Sequence, residues 1–119
     1  MRRQNDLPTA DPLLSDMQRL APGLSRDIPV VYFLRLQSGV IYVGASLDLE
    51  QRLEDHASGR ACRTTAVDPP VGMLRLEIYA SFSEARQRES QLKRWSRAKK
   101  EALIRGDAAA LRRLSRSRD

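Results

Sequence analysis

The sequence predicts an α/β domain, a small antiparallel three-stranded sheet flanked by helices, and three observations lead there. Residues 30–36, 40–43 and 73–79 are short runs rich in β-branched and aromatic side chains, bounded by turn residues. Only Gln37-Ser38-Gly39 separates the first two runs, which suits a hairpin and leaves no room for a parallel crossover. Apolar residues at helical spacing fill the chain between the second and third runs and after the third.

Taken in order, residues 1–29 hold four of the six prolines and read as an N-terminal leader outside the core, partly helical or disordered. Within it Asp11-Pro12 suits a helix cap and first turn, and Leu13, Leu14, Met17 and Leu20 share a face until Pro22, which gives one short helix, packed on the domain or frayed. The first strand, 30–36, is apolar enough to be buried on both faces. After the second strand, Ser46 is positioned to cap a helix over about 47–57. Residues 58–70, with Gly59 and the stop Pro69-Pro70, read as a loop. Ser83 then caps a helix to Trp95, Ser96 another to Ile104, Gly106 ends it, and Asp107 opens a last short helix. The expected organisation is a leader (1–29), one domain (30–105) and a basic C-terminal helical tail (106–119).

Composition narrows the function. The 119 residues contain one cysteine, Cys62, so neither an internal disulfide nor a cysteine zinc site is available. No apolar run approaches 18 residues, and Met1-Arg2-Arg3-Gln4-Asn5-Asp6 does not lead into a signal-peptide core. A cytoplasmic protein without membrane contact is expected. Net charge is +6, but residues 83–119 carry 12 Lys/Arg against 5 Asp/Glu while residues 1–82 carry 9 against 10. The basic excess lies wholly in the C-terminal third, where it is either the footprint of a nucleic-acid binder or a solvated helical face.

Polar groups at core-facing positions mark the candidate site. In the helix after the hairpin, the stripe is Leu49, Arg52, Leu53 and His56, so two of its slots are polar. In the helix from 83 to 95, Glu89 interrupts the face of Phe82, Ala85, Leu92 and Trp95. A buried carboxylate wants a cation, from Arg52 or a metal ion. Taken singly, each residue has a plain reading: Tyr32 and Tyr42 as strand residues, Arg52 and Glu89 as a structural ion pair, His56 as a core-edge histidine, Gly44 as a tight strand-to-helix turn.

Together they resemble the GIY-YIG nuclease superfamily, specifically its small single-domain bacterial branch, across residues 30–105. Tyr32 closes the first motif, here Val30-Val31-Tyr32, and Tyr42-Val43-Gly44 matches the second. Leu49-Glu50-Gln51-Arg52-Leu53 with His56-Ala57-Ser58-Gly59 is similar to the Arg-bearing helix and its continuation. Arg88-Glu89, followed by the run from Gln91 through Lys93, Arg94, Arg97, Lys99 and Lys100, is similar to the branch's metal-site helix and basic segment. Two departures stand out: Ala45 occupies a position where some members carry lysine, and no asparagine follows Glu89, the only one being Asn5.

The resemblance implies a GIY-YIG nuclease fold and a DNA endonuclease dependent on Mg2+, with Mn2+ able to substitute. It implies Glu89 as the metal ligand, Arg52 neutralising charge on the phosphate, and Tyr42 as general base, with Tyr32 and His56 positioning the water or sharing its proton. Lys93, Arg94, Arg97, Lys99 and Lys100 would contact the nucleic acid. A phenol ionises near pH ~10, so a tyrosine base needs a neighbouring cation or a concerted transfer. DNA is the expected partner, and no obligate protein partner is implied. The rival readings are a non-catalytic nucleic-acid-binding module of the same fold, or an RNase.

Overall fold

The computed structural model describes residues 10–116; positions 1–9 of the expected leader, Asn5 among them, and 117–119 of the expected tail lie outside the described residues. Strands β1 (Val30–Leu36), β2 (Ile41–Ser46) and β3 (Pro70–Ile78) form one antiparallel sheet in the order β2-β1-β3. Helices α1 (Asp11–Leu20), α2 (Leu49–Ser58), α3 (Arg63–Val67), α4 (Phe82–Lys93), α5 (Arg97–Ile104) and α6 (Ala108–Arg116) surround it.

Strand alternation sorts β1 into two cores. Val30, Tyr32, Leu34 and Leu36 pack with Leu13 and Met17 of α1, Leu49 and Leu53 of α2, and Met73 of β3. Val31 and Phe33 pack on the other face with Val43, Ala85 and Leu92 of α4, and Leu103 of α5. As the apolar run predicts, β1 is buried on both faces, with Arg35 its one exposed residue.

Of the two outcomes expected for the leader helix, α1 takes the packed one, and its apolar face lies in the core and not outside it. Leu13 is 1% exposed and Met17 6%, because the sheet face behind Tyr32 needs an apolar cover. Asp16 also accepts the Met73 backbone N–H at 2.9 Å, which ties α1 to an edge strand and blunts that edge. The cap positions shift as well. Asp48, not Ser46, caps α2 by accepting from the Gln51 N–H, and Ser81, not Ser83, caps α4 by accepting from the Glu84 N–H. Ser96 caps α5 as expected. Within the segment read as a loop, residues 63–67 form α3, and Pro70 opens β3 instead of stopping the chain, as proline can at the first residue of a strand. Gly44 lies inside β2 opposite Tyr32, not in a turn.

Truncating Leu13 to alanine removes a fully covered side chain from the α1–sheet layer. A loss of about 2–5 kcal/mol in urea-denaturation stability is expected, whereas a leader outside the core would cost nothing.

Candidate active site

β2 is an edge strand, and at that edge α2 and α4, from opposite faces of the sheet, bring their side chains together. An open pocket of about 270 Å3 is lined there by Tyr32, Tyr42, Gly44, Arg52, Glu89 and Lys93, with Ala45, Phe82 and Arg86 completing the wall. A larger hollow of about 500 Å3 is lined by Tyr79, Glu84, Arg88 and Arg94, but it has a single tyrosine hydroxyl, and Tyr79 and Arg88 are already tied to Glu77.

Behind the tyrosines runs a chain of hydrogen bonds. The Tyr32 hydroxyl meets His56 Nε2 at 2.7 Å, and His56 Nδ1 meets the Thr65 hydroxyl at 2.9 Å. Thr65 Oγ1 lies 3.4 Å from Cys62 Sγ, and the Cys62 thiol donates to the Tyr42 hydroxyl at 3.6 Å. The His56 ring stands edge-on to both tyrosine rings, at centroid distances of 5.6 and 5.2 Å. Gly44 leaves the space this needs. A Cβ there would overlap the Tyr32 hydroxyl and the end of its ring.

His56 is 1% exposed and does not line the pocket; it sits behind Tyr32. Arg52 takes neither core slot. With α2 starting at Leu49, its buried stripe is Leu49, Leu53, His56 and Ala57, and Arg52 falls on the flank, exposed at the pocket wall. Among the described residues no carboxylate pairs with it. Glu89 draws its cations from its own helix, Arg86 at 3.4 Å and Lys93 at 3.2 Å, instead of from Arg52. The Lys93 ammonium also lies 5.8 Å from the centre of the Tyr42 ring. A cation thus stands near Tyr42 although position 45 is alanine.

Burial sets the electrostatics. It pushes the Tyr32 and Tyr42 hydroxyls well above the usual phenol range, and Arg52 offsets this only in part; for Tyr42 the contact with Cys62 adds to the rise. Both are neutral phenols at physiological pH. Burial, then the Arg52 charge, lowers His56 to about 4, so the imidazole is neutral too and can accept a proton. Burial opposes ionisation of Cys62, but its hydrogen bonds with the Thr65 side chain and backbone, with Tyr42 and with the Thr64 backbone together outweigh it and bring the thiol below its ordinary value.

The basic segment divides. Arg94 and Arg97 are exposed, the latter paired to Glu101 at 2.6 Å, and Lys93 is exposed beside Glu89. Lys99 is a correction: it is 9% exposed, with its ammonium 4.2 Å from the centre of the Trp95 ring. The one-turn spacing on α5 directs it inward against Trp95. Lys100 is half-buried, and burial followed by repulsion from Lys93 lowers its pKa.

The model of the GIY-YIG catalytic domain matches residues 28–102. The chain belongs to the GIY-YIG family. UPF0213 proteins of Staphylococcus aureus strains Mu50 and N315 are each 36% identical to it over 78 residues, covering 66% of this chain and 95% of theirs. The solution NMR structure of a UPF0213 protein from Bacillus halodurans is 31% identical, covers 67% of this chain and 85% of that one, and superimposes with a TM-score of 0.46. The GIY-YIG family is one of nucleases that generally work with a divalent metal. Its matched span takes in the whole sheet and the pocket but not α1, so here the GIY-YIG core is completed by a helix from outside the family domain.

Among the described residues no group of three or more His, Cys, Asp or Glu could hold a metal ion. The donor set at the pocket is therefore one carboxylate with phenol oxygens nearby. That fits a hard cation, which keeps its waters and takes phosphate oxygens, and does not fit zinc, which wants three or four protein ligands. The partners of Glu89 lie toward solvent, the Arg86 side chain being 64% exposed and Lys93 51%, so a cation can take their place at the carboxylate without disturbing the core.

Sequence reasoning missed Thr65 and Cys62. The available signal was that a buried imidazole has two nitrogens to satisfy, which calls for a hydroxyl or carboxylate close to His56.

Because His56 ionises more readily in the unfolded chain (near 6.5) than in the folded one (about 4), the unfolded state binds the extra proton between those values. Stability should therefore fall as pH drops from 6.5 to 4, by up to about 3 kcal/mol from this group. Denaturation of wild type and His56→Gln at pH 7 and pH 4.5 checks this. The wild-type loss should be larger, and NMR of the ring should titrate near 4, with no midpoint at 6.5.

Proposed function

We propose that this protein is an endonuclease that hydrolyses DNA phosphodiester bonds with one divalent cation, Mg2+ or in its place Mn2+. The reading is carried by one observation: two tyrosine hydroxyls, an arginine without a carboxylate partner among the described residues and a single carboxylate line the same open pocket. Glu89 would hold the cation, which when bound supplies Lewis-acid stabilisation of charge on the phosphate.

The chain's own residues supply the rest. Arg52 binds the phosphate, its planar fork matched to two oxygens and its charge permanent. The pocket hydroxyls of Tyr32 and Tyr42 orient the attacking water. Since neither phenol ionises near neutral pH, the water's proton leaves as attack proceeds, with neutral His56 behind Tyr32 sharing it. The exposed cations Lys93, Arg94 and Arg97 carry the flanking backbone, with Lys100 at their margin. Action in the cytoplasm is part of the proposal and rests on the lone, unpaired cysteine.

Glu89→Ala should abolish Mg2+-dependent cleavage while nucleic-acid binding survives, because the exposed arginines are untouched. The assay is incubation with labelled single-stranded, duplex and branched DNA and RNA, with Mg2+, Mn2+ or EDTA. Cleavage by Glu89→Ala at the wild-type rate would overturn the metal assignment, and binding without cleavage by wild type under every condition would favour the non-catalytic module.

Salt dependence separates the basic residues. Arg94→Ala and Arg97→Ala should each flatten the slope of log affinity against log salt by about 0.9, the value for one duplex phosphate no longer neutralised. Lys99→Ala should leave the slope unchanged and lower stability by about 0.5–2 kcal/mol, because the Trp95 ring then loses the nearer of its two cations and keeps only Arg88.

A further inference from the structure

Thr65 and Cys62 belong to none of the motifs, yet they join the two tyrosines. Thr65 is 1% exposed, and its hydroxyl touches both His56 Nδ1 at 2.9 Å and Cys62 Sγ at 3.4 Å. The series Tyr32–His56–Thr65–Cys62–Tyr42 therefore begins and ends on hydroxyls that line the pocket.

Counting protons fixes its direction. Cys62 has one proton and donates it to Tyr42. Thr65 then receives nothing from Cys62, so it gives its own proton to Sγ. Its oxygen is left to accept, which requires the His56 proton to be on Nδ1. Nε2 is consequently bare and accepts the Tyr32 hydroxyl proton. Among the described residues no buried side-chain nitrogen or oxygen lacks a partner, and this assignment satisfies all five groups.

We propose that Thr65 is a positioning residue that locks His56 in the Nδ1–H tautomer and, through Cys62, completes an internal proton path between Tyr32 and Tyr42. The proposal rests on the hydrolytic reading above. As the water oxygen bonds to phosphorus, its proton passes to the Tyr32 oxygen and the Tyr32 proton to His56 Nε2. The Nδ1 proton passes to Thr65, that of Thr65 to Cys62, that of Cys62 to Tyr42, and that of Tyr42 to the departing oxygen, which keeps the electron pair of the broken P–O bond. Each of the five groups ends with as many protons as it began, and no charge stays inside. Two phenols too buried to ionise cease to be an obstacle, because no phenolate forms. Tyr32 becomes the accepting end and Tyr42 the donating end, the reverse of the roles the resemblance implied.

His56 is the only histidine in the chain, so imidazole 15N NMR of the full-length protein reports one ring. At pH 7, wild type and Thr65→Ser should show a protonated Nδ1 and a bare Nε2, and Thr65→Val should shift toward the Nε2–H form. A wild-type ring protonated on Nε2, or an unchanged tautomer in Thr65→Val, overturns the proposal. In single-turnover cleavage across H2O/D2O mixtures, wild type and Thr65→Ser should give the curvature of several protons in flight. Thr65→Val and Cys62→Ala should be slower by about 10²-fold, the low end of acid–base assistance, with the curvature reduced. A Thr65→Val protein within twofold of wild type also overturns it. Should Thr65→Val not fold, the wild-type spectrum and Cys62→Ala decide the matter. If wild type cuts no nucleic acid, the hydrolytic reading fails and the proton path with it, while the spectrum still decides the tautomer.

Discussion

A phenol on the central strand and an imidazole on a helix meet at 2.7 Å inside the core, and the candidate site is organised around that contact. Both groups are almost fully covered, so each would cost stability without the other. The bond fixes the rotation of α2 against β1. That rotation carries Leu49 and Leu53 into the core beneath the sheet and leaves Arg52 on the flank facing the pocket. It also dictates the next partner outward, since an imidazole held by one nitrogen must satisfy the other, and α3 exists at the place where Thr65 can do so.

The opposite wall is set by a different kind of contact. Glu77 of β3, its side chain 9% exposed, takes Arg88 and Arg75 at 2.9 Å each and accepts the Tyr79 hydroxyl proton at 2.7 Å. Burial opposes ionisation there, but those hydrogen bonds outweigh it and hold the carboxyl below its usual range. Arg88 lies over the Trp95 ring at 5.2 Å, and Lys99 contacts the same ring. α4 is thereby anchored to the sheet through Arg88 while the next residue, Glu89, lines the pocket. Adjacent residues of one helix divide structure from chemistry.

How far the sequence leads depends on the range of the interaction. The hairpin, the buried β1 and the Ser96 cap follow from local chemistry, and the three-strand sheet comes with them. Tyr32, Tyr42, Arg52 and Glu89 are legible as residues that should converge, and in the structure they line one pocket. The misses have long-range causes. Leu13 and Met17 enter the core because of a sheet face more than ten residues away in the chain, and a single short amphipathic helix carries no sign of what it will cover. Arg52 reads as a core residue because a helix stripe taken without its start is uncertain by one residue, and Asp48 moves that start. Lys99 reads as surface when charge is counted without Trp95 beside it. Thr65 is hidden in a five-residue helix too short to show any periodicity.

Gly44 and Tyr32 face each other across the β1–β2 ladder, and the phenol occupies the volume that a side chain at 44 would need. The second motif's glycine is thus the negative imprint of the first motif's tyrosine. Two signatures that look independent along the chain are the two halves of one steric fit, and they form a single unit of variation. A lineage that gave up the large ring at 32 would be freed to place alanine at 44. One that placed alanine at 44 first would expel the ring from its seat and, with it, the imidazole's partner. The order in which such a site could decay is therefore constrained: the tyrosine must go before the glycine can.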